Sequence, residues 1–473
     1  MEQDFYDIIL IGTGFASSFF LKEYLNHASA DERILVLERG EDLPYSDKIR
    51  YKTNSHVNFH HQINNLTPQK TWLQNIAFGG GACWTGNSPR MHPSDFKTHT
   101  LHGVGEDWPF DYSVLEPYLV EAEHIMGISG DESNDYPRSA PYSMPGHKLN
   151  AFDRLLIEKY GDKHIPMPSA RASQPSSSRP QCCNNGVCSI CPIGAKFQVD
   201  LHMRNIYDDH RVTLKLGHEV TNLVVENSTI KQVVCKKEDR ELIFNSDFVA
   251  LGAHGIMSPY ILLNSGIDDY AVGKFLSEQH SVDVRVNLAD VDNYDGGQRV
   301  TGYGSMFLNE SNRNKIAGCA IENYNIPWLR AEFGKWRHVA FIKFVFEDLP
   351  SEDNKVTVGS NGKPNVEHAK LSDYALGGIR DIERRVNLLL NDLPVEDYHI
   401  EELDQNRLGG SAHIQGTTRM GLDPRTSVVD PGLIHHRIRN LAVLGSGAFP
   451  TCPTANPTLI LSALSIKSAR ELF

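Results

Sequence analysis

The chain has 473 residues, 40% hydrophobic and 22% charged, with a mean hydropathy of −0.36. That composition supports a buried core and excludes a disordered or fibrous protein, and at roughly 150 residues per domain the length predicts about two or three structural units. With 46 basic against 59 acidic residues the net charge is −13, which argues against a nucleic-acid partner.

The opening residues lack the basic head and apolar stretch of a secretory signal, and no apolar run reaches the about 18 residues of a spanning helix. The expected location is the cytoplasm, with export beside a signal-bearing partner left open. Tyr6-Asp7-Ile8-Ile9-Leu10-Ile11 predicts a buried strand. It runs into Gly12-Thr13-Gly14-Phe15-Ala16-Ser17, then a helix carrying Phe19, Phe20 and Leu25, then a strand Arg33–Leu37 ending in Glu38-Arg39-Gly40. Strand, glycine turn, helix, strand and terminal acid together form a dinucleotide-binding fingerprint. Gly12 permits the tight turn, Gly14 lets backbone approach a pyrophosphate at the helix N-terminus, and Glu38 can accept from an adenosine ribose. Ser17 stands where a third glycine is usual, so helix–strand packing there must tolerate a hydroxyl. No second fingerprint occurs, which suits one dinucleotide held permanently and reduced by the substrate itself.

Residues 78–91 contain Gly79-Gly80-Gly81, then Cys83-Trp84-Thr85 and Pro89-Arg90. Consecutive glycines permit positive φ and close approach to a flat ligand. Residues 96–179 are polar and predict a covering loop. Cys182-Cys183-Asn184-Asn185-Gly186-Val187-Cys188-Ser189-Ile190-Cys191 places four of the eight cysteines within ten residues. Thiolates suit an iron–sulfur cluster or zinc, and free thiols or a disulfide are the alternative; Cys182 and Cys183, being adjacent, pair poorly with each other.

Residues 212–235 predict strands of a β-meander, Lys236 to Arg240 a solvated hairpin tip, and 247–259 a late strand of the nucleotide domain. Residues 282–288 and 338–346 read as strands and 372–392 as a helix. The last seventy residues contain Gly410 to Gly421 around His413, then Gly445-Ser446-Gly447, Ala455-Asn456-Pro457-Thr458 and a closing helix to Leu472. His435 and His436 lie in a polar turn and are expected at the surface.

On these motifs the chain resembles the glucose–methanol–choline (GMC) family of FAD-dependent oxidoreductases. The resemblance rests on the fingerprint, the triple glycine, the 247–259 strand and the His413 and Asn456 motifs in order. It implies an α/β fold: a doubly wound, Rossmann-like FAD domain with a second, sheet-based substrate domain, in the p-hydroxybenzoate hydroxylase-like architecture. The FAD domain is expected from 1–95, 180–275 and 405–473, the flavin-covering region from 96–179, and the substrate domain from 276–404. FAD is expected against Gly12, Gly14, Ser17, Glu38, Arg39, Gly80, Gly81, Asn87, Val220, Gly252, Gly445, Ser446 and Thr458, with Val220 touching the adenine through its backbone. His413 is the implied base and Asn456 the implied alkoxide positioner. Imidazole titrates near pH 6.5 and can take the proton as a hydride leaves the same carbon, whereas an amide does not titrate.

Around Cys83 the segment resembles sugar oxidases of the pyranose 2-oxidase type, where a histidine at that place bonds covalently to the flavin. A thioether from Cys83 is conceivable; the preferred reading is non-covalent FAD with Cys83 as a packing residue. The cysteine loop resembles that of bacterial fructose and glucose dehydrogenases, which carry a three-iron cluster. Here the final C-x-x-C is one residue shorter than expected, so Cys182, Cys183, Cys188 and Cys191 are candidate cluster ligands with no metal preferred.

The expected activity is oxidation of a CH–OH group in a sugar, amino sugar or cyclitol, with hydride passing to flavin N5. A dehydrogenase, handing electrons to an external acceptor such as a quinone or cytochrome, is favoured over an O2-using pyranose-type oxidase. A sterol or long-chain alcohol oxidase would need a wide apolar pocket, and a non-enzymatic flavoprotein is disfavoured by the intact His413 and Asn456.

Overall fold

The computed structural model describes residues 5–401 and 412–473, apart from 73, 81–83, 187 and 239. Gly81 and Cys83, and the start of the His413 motif, lie outside the described residues.

The strand Phe5–Ile11 is buried along almost its whole length, as an internal parallel strand must be. It lies between Ile34–Glu38 and Arg240–Leu251, parallel to both, and Val212–Leu216 extends the sheet beyond Ile34–Glu38. Residues 212–216 are therefore a parallel edge strand rather than part of a meander; the antiparallel hairpin is confined to Glu219–Glu226 and Thr229–Lys237. Arg240–Leu251 serves both arrangements. Its first half pairs antiparallel with Thr229–Lys237, and its second half pairs parallel with Phe5–Ile11 and with the short strand Leu441–Val443. The helices Phe15–His27 and Pro457–Leu472 pack together with this sheet through Phe19, Phe20, Leu459, Ala463 and Ile466, all at most 1% exposed.

A second, antiparallel sheet runs Val395–Ile400, His280–Leu288, Val339–Phe346, Cys319–Tyr324, Val300–Phe307 and His164–Pro166. The alternation in His280–Leu288 fixes its two faces. Val282, Val284, Val286 and Leu288 join a core with Ile342, Phe344, Ile321, Val386 and Leu389, whereas Ser281, Asp283 and Arg285 point to the other face. The expected helix at 372–392 is two helices, Asp373–Arg380 and Ile382–Leu390, separated at Asp381.

Residues 96–179 are not simply a covering loop. They hold the helices Tyr112–Met126 and Ala151–Tyr160 and supply the edge strand His164–Pro166. Helix Tyr112–Met126 packs against Pro457–Leu472, because Leu115, Leu119, Ala122 and Met126 recur at helical spacing and are fully buried. Among the described residues, no helix is long and apolar enough to cross a membrane.

Candidate active site

The fingerprint turn forms because its glycines adopt conformations and approaches that side chains would block. Gly12 has φ +95°, and a Cβ there would lie 2.7 Å from the Gly252 carbonyl oxygen. Gly14 opens the helix Phe15–His27, and a Cβ at Gly80 would lie 3.3 Å from Gly14 Cα, so the glycine-rich segment approaches the turn closely. The glycine-rich segment is tied on by a bond from the Gly79 amide to Thr13 Oγ1, 2.9 Å. Ser17 is accommodated by a glycine opposite: a Cβ at Gly252 would meet Ser17 Oγ at 2.2 Å.

Glu38 sits at the end of its strand, 7% exposed. Its carboxylate accepts from Thr13 N at 2.9 Å, Thr13 Oγ1 at 2.7 Å and Gly40 N at 2.7 Å. Burial raises its pKa despite those bonds. Three acceptances leave one of about four lone-pair sites for a ribose hydroxyl. Arg39 follows it and is paired with Glu219 at 3.3 Å, and Val220 follows Glu219 in the strand Glu219–Glu226. Gly445, φ +106°, begins a turn whose Ser446 Oγ donates to the Ile414 carbonyl at 2.6 Å. Thr458 is in the first turn of a helix whose N-cap, Asn456, makes no side-chain cap, so backbone donors stay available to an anionic ring. Asn87 Oδ1 accepts from Arg171 Nη2 at 3.1 Å. The donor set, the open glycine turn and the carboxylate suit a flat, anionic dinucleotide.

His413 and Asn456 meet where the two sheets face each other. Asn456 Nδ2 is 3.2 Å from His413 Nε2. His413 Nδ1 is 2.6 Å from Gln279 Oε1, and the His413 amide donates to Glu278 Oε1 at 3.2 Å. The amide of Gln279 has its orientation set by two carbonyls: its Nε2 donates to Pro453 O at 2.5 Å and Ala455 O at 2.7 Å. Oε1 must therefore face the imidazole, so Nδ1 carries the proton and Nε2 presents its lone pair. Desolvation, helped by the charge of Lys343, pushes the His413 pKa down to about 4, so the ring is neutral at physiological pH. Asn456 Oδ1 is buried without a hydrogen-bond partner. Glu278 is itself buried and ion-paired to Lys70.

Gln279, Glu278 and Lys343 carry no motif and were not legible as site residues. Lys343 belongs to a polar row. Register places Asp283, Lys343, Glu322 and Tyr303 side by side across four strands, on the face opposite the apolar core. Lys343 Nζ lies 3.3 Å from Asp283 Oδ1, and Tyr324 Oη donates to Glu322 Oε2 at 2.9 Å. The alternating polar residues 281, 283 and 285 were the available signal.

Two expectations need correction or restatement. His435 is not a surface residue: it is 1% exposed, its Nδ1 accepts from the Arg437 and Ile438 amides, and its Nε2 is 3.2 Å from Asp269. Cys182, Cys183, Cys188 and Cys191 line one recess with Arg171 and Arg299, and all are free thiols. No three of these sulfurs lie within 4.8 Å of one another. Tetrahedral zinc, with bonds of about 2.3 Å, would need them closer; a multi-iron cluster spans more.

The fold pairs a parallel sheet carrying the dinucleotide fingerprint with a second, antiparallel sheet, and His413 and Asn456 meet beside Gln279 at the start of the strand His280–Leu288. Residues 335–465 match the family model described as GMC oxidoreductase. The chain is 25% identical to the fructose dehydrogenase large subunit of Gluconobacter japonicus, covering 98% of this chain and 97% of that one. It is 27% identical to pyranose 2-oxidase of Tricholoma matsutake, covering 98% and 93%. Among solved structures a formate oxidase of Aspergillus oryzae RIB40 shares the fold, with a TM-score of 0.71 at 15% identity over 99% of this chain and 98% of the other. The chain is thus similar to GMC oxidoreductases, and these likenesses support an FAD-dependent oxidoreductase of the class that acts on CH–OH donors.

Proposed function

We propose that the protein oxidises one secondary or primary hydroxyl of a sugar, amino sugar or cyclitol, with His413 as proton acceptor and Asn456 as the group that holds the substrate oxygen. The observation that carries this is the fixed tautomer of His413: its Nε2 lone pair is aimed at Asn456 from a site where the ring is neutral. FAD, when bound, supplies the acceptor for the hydride. An entering hydroxyl would donate to Nε2 and accept from Asn456 Nδ2, taking over the bond the two side chains now share. As the proton moves to Nε2, Gln279 Oε1 stabilises the imidazolium through Nδ1–H.

The row Asp283, Lys343, Glu322 and Tyr303 supports a polyhydroxylated substrate, since its carboxylates, ammonium and phenol offer acceptors and donors in alternation. It argues against a sterol or long alkyl chain, which would displace water from those charged groups without offering them a hydrogen bond. The sugar-active relatives support the same class. We read the electron acceptor as something other than O2, the FAD as non-covalent and the cysteine loop as metal-free thiols.

The test is turnover of a panel of hexoses, amino sugars and cyclitols with a dye acceptor and, separately, under air. Dye reduction without peroxide supports a dehydrogenase; peroxide at an equal rate overturns that part. His413→Ala should lower kcat by about 10²–10⁴-fold with flavin absorbance unchanged. Turnover at the wild-type rate would remove the base assignment. Flavin released into the supernatant by acid, and no acid-labile sulfide on analysis, are the expected results for the cofactor readings.

A further inference from the structure

Behind the active site, on the side of the second sheet away from Asp283 and Lys343, three side chains converge from separate segments. His280 is the first residue of its strand, Asp348 follows the strand Val339–Phe346, and His368 follows the short strand Pro364–Glu367. One ligand atom from each lies within 4.8 Å of the others. We propose that His280, Asp348 and His368 form a binding site for a divalent first-row transition ion of the zinc or ferrous class.

Burial comes first in the argument. The three residues are 1%, 3% and 0% exposed, so solvent does not satisfy them. Neither ring nitrogen of His368 has a hydrogen-bond partner. An imidazole nitrogen left buried and unpaired is unfavourable, and coordination removes that penalty. Geometry agrees: His280 Nε2 and Asp348 Oδ2 are 3.9 Å apart, and the two imidazole centroids 5.8 Å. Metal–ligand bonds of about 2.1 Å at tetrahedral or octahedral angles place ligand atoms about 3.0–3.4 Å apart, so side chains whose atoms lie within 4.8 Å of one another would draw in by about 1.5 Å at the widest separation on binding.

The surroundings orient the ligands as a metal site requires. Asp348 Oδ1 accepts from Leu349 N at 2.8 Å and Ser372 Oγ at 2.5 Å, which turns Oδ2 toward His280. The His368 backbone is pinned by donation to Thr67 Oγ1 at 2.8 Å. The neighbouring Lys70 is paired with Glu278, so the Asp348 carboxylate remains to favour a cation. Two imidazoles and one carboxylate suit zinc or ferrous iron better than calcium or magnesium. With no exposed face the ion would be taken up as the chain folds, and it would tie together three segments, one of which, at His280, directly follows Gln279, the residue that orients His413.

The test uses full-length, flavin-loaded protein purified without chelator. Elemental analysis should find about one equivalent of zinc or iron per chain, and which of the two identifies the ion. His368→Gln and Asp348→Asn should each abolish it at unchanged flavin content, while a Cys188→Ser/Cys191→Ser variant should keep it. X-ray absorption of zinc-loaded wild type, which needs no variant to fold, should show only nitrogen and oxygen neighbours near about 2.0 Å. A sulfur shell at about 2.3 Å, retention of the ion by His368→Gln, or wild type that holds no metal and takes up neither Zn²⁺ nor Fe²⁺ on refolding would overturn the proposal.

Discussion

Gln279 shows how much one neutral amide can determine. Two backbone carbonyls hold its Nε2, which leaves Oε1 to set the tautomer of His413. Gln279→Leu preserves bulk and removes the acceptor, so either ring nitrogen can then carry the proton. The expected result is a loss in kcat of about tenfold with KM little changed, since the interaction strengthens only as the imidazolium forms. The pH profile gives a separate reading. Burial, with Lys343 second, holds the His413 pKa at about 4. A base must be unprotonated, so kcat/KM for the free enzyme should stay level from pH 7 down to about 5 and fall as pH drops through about 4. An unperturbed imidazole would show that fall near about 6.5. Lys343→Met removes a positive charge and should move the acid limb upward, though not fully, because desolvation remains.

At the scale of elements, the join between the first helix and the main sheet depends on a complementary pair. Ser17 supplies a hydroxyl where a glycine is usual, and Gly252 supplies the missing side chain opposite. Gly252→Ala should destabilise the fold by about 1–3 kcal/mol and loosen flavin retention, because the new methyl meets Ser17 Oγ. Adding Ser17→Gly should restore much of both, and a thermal-melt cycle over the four proteins measures the coupling. An additive outcome would mean that the two residues do not share this space. The fingerprint itself was legible, since strand, turn, helix and acid are local. Val212–Leu216 was not, because nothing within the segment distinguishes a parallel edge strand from the first strand of a meander.

For the whole molecule, Arg313 couples the segment 93–97 to the end of the antiparallel-sheet strand Val339–Phe346. It is 1% exposed and donates to Asp95 Oδ1 at 2.9 Å and to both Glu347 oxygens at 2.9 and 2.6 Å. Arg313→Met strands two buried carboxylates and should cost about 3–5 kcal/mol in chemical denaturation. Acid should also weaken the molecule. His147, 5% exposed, has its pKa pushed down to about 4 by burial. The unfolded chain protonates it near about 6.5, so the unfolded state binds more protons between those values. Its contribution is complete above about 6.5 and is lost at about 1.4 kcal/mol per pH unit as pH falls to about 4. Denaturant midpoints at pH 7 and 5 check this, with His147→Gln expected to reduce the difference.

The sequence by itself determined the nucleotide fingerprint, the two buried parallel strands that carry it and the motifs around His413 and Asn456, because each is a contiguous pattern with its own local physics. Only the tertiary structure decided which residues surround that histidine. Gln279 and Glu278 directly precede the strand His280–Leu288 and Lys343 lies in the strand paired with it, so positions far apart along the chain are brought to His413 together, and His435 is buried by packing that its polar neighbours do not announce. Side-chain alternation tells which face a residue occupies, but what lies opposite that face depends on how two sheets are set against each other, and that is a property of the folded chain.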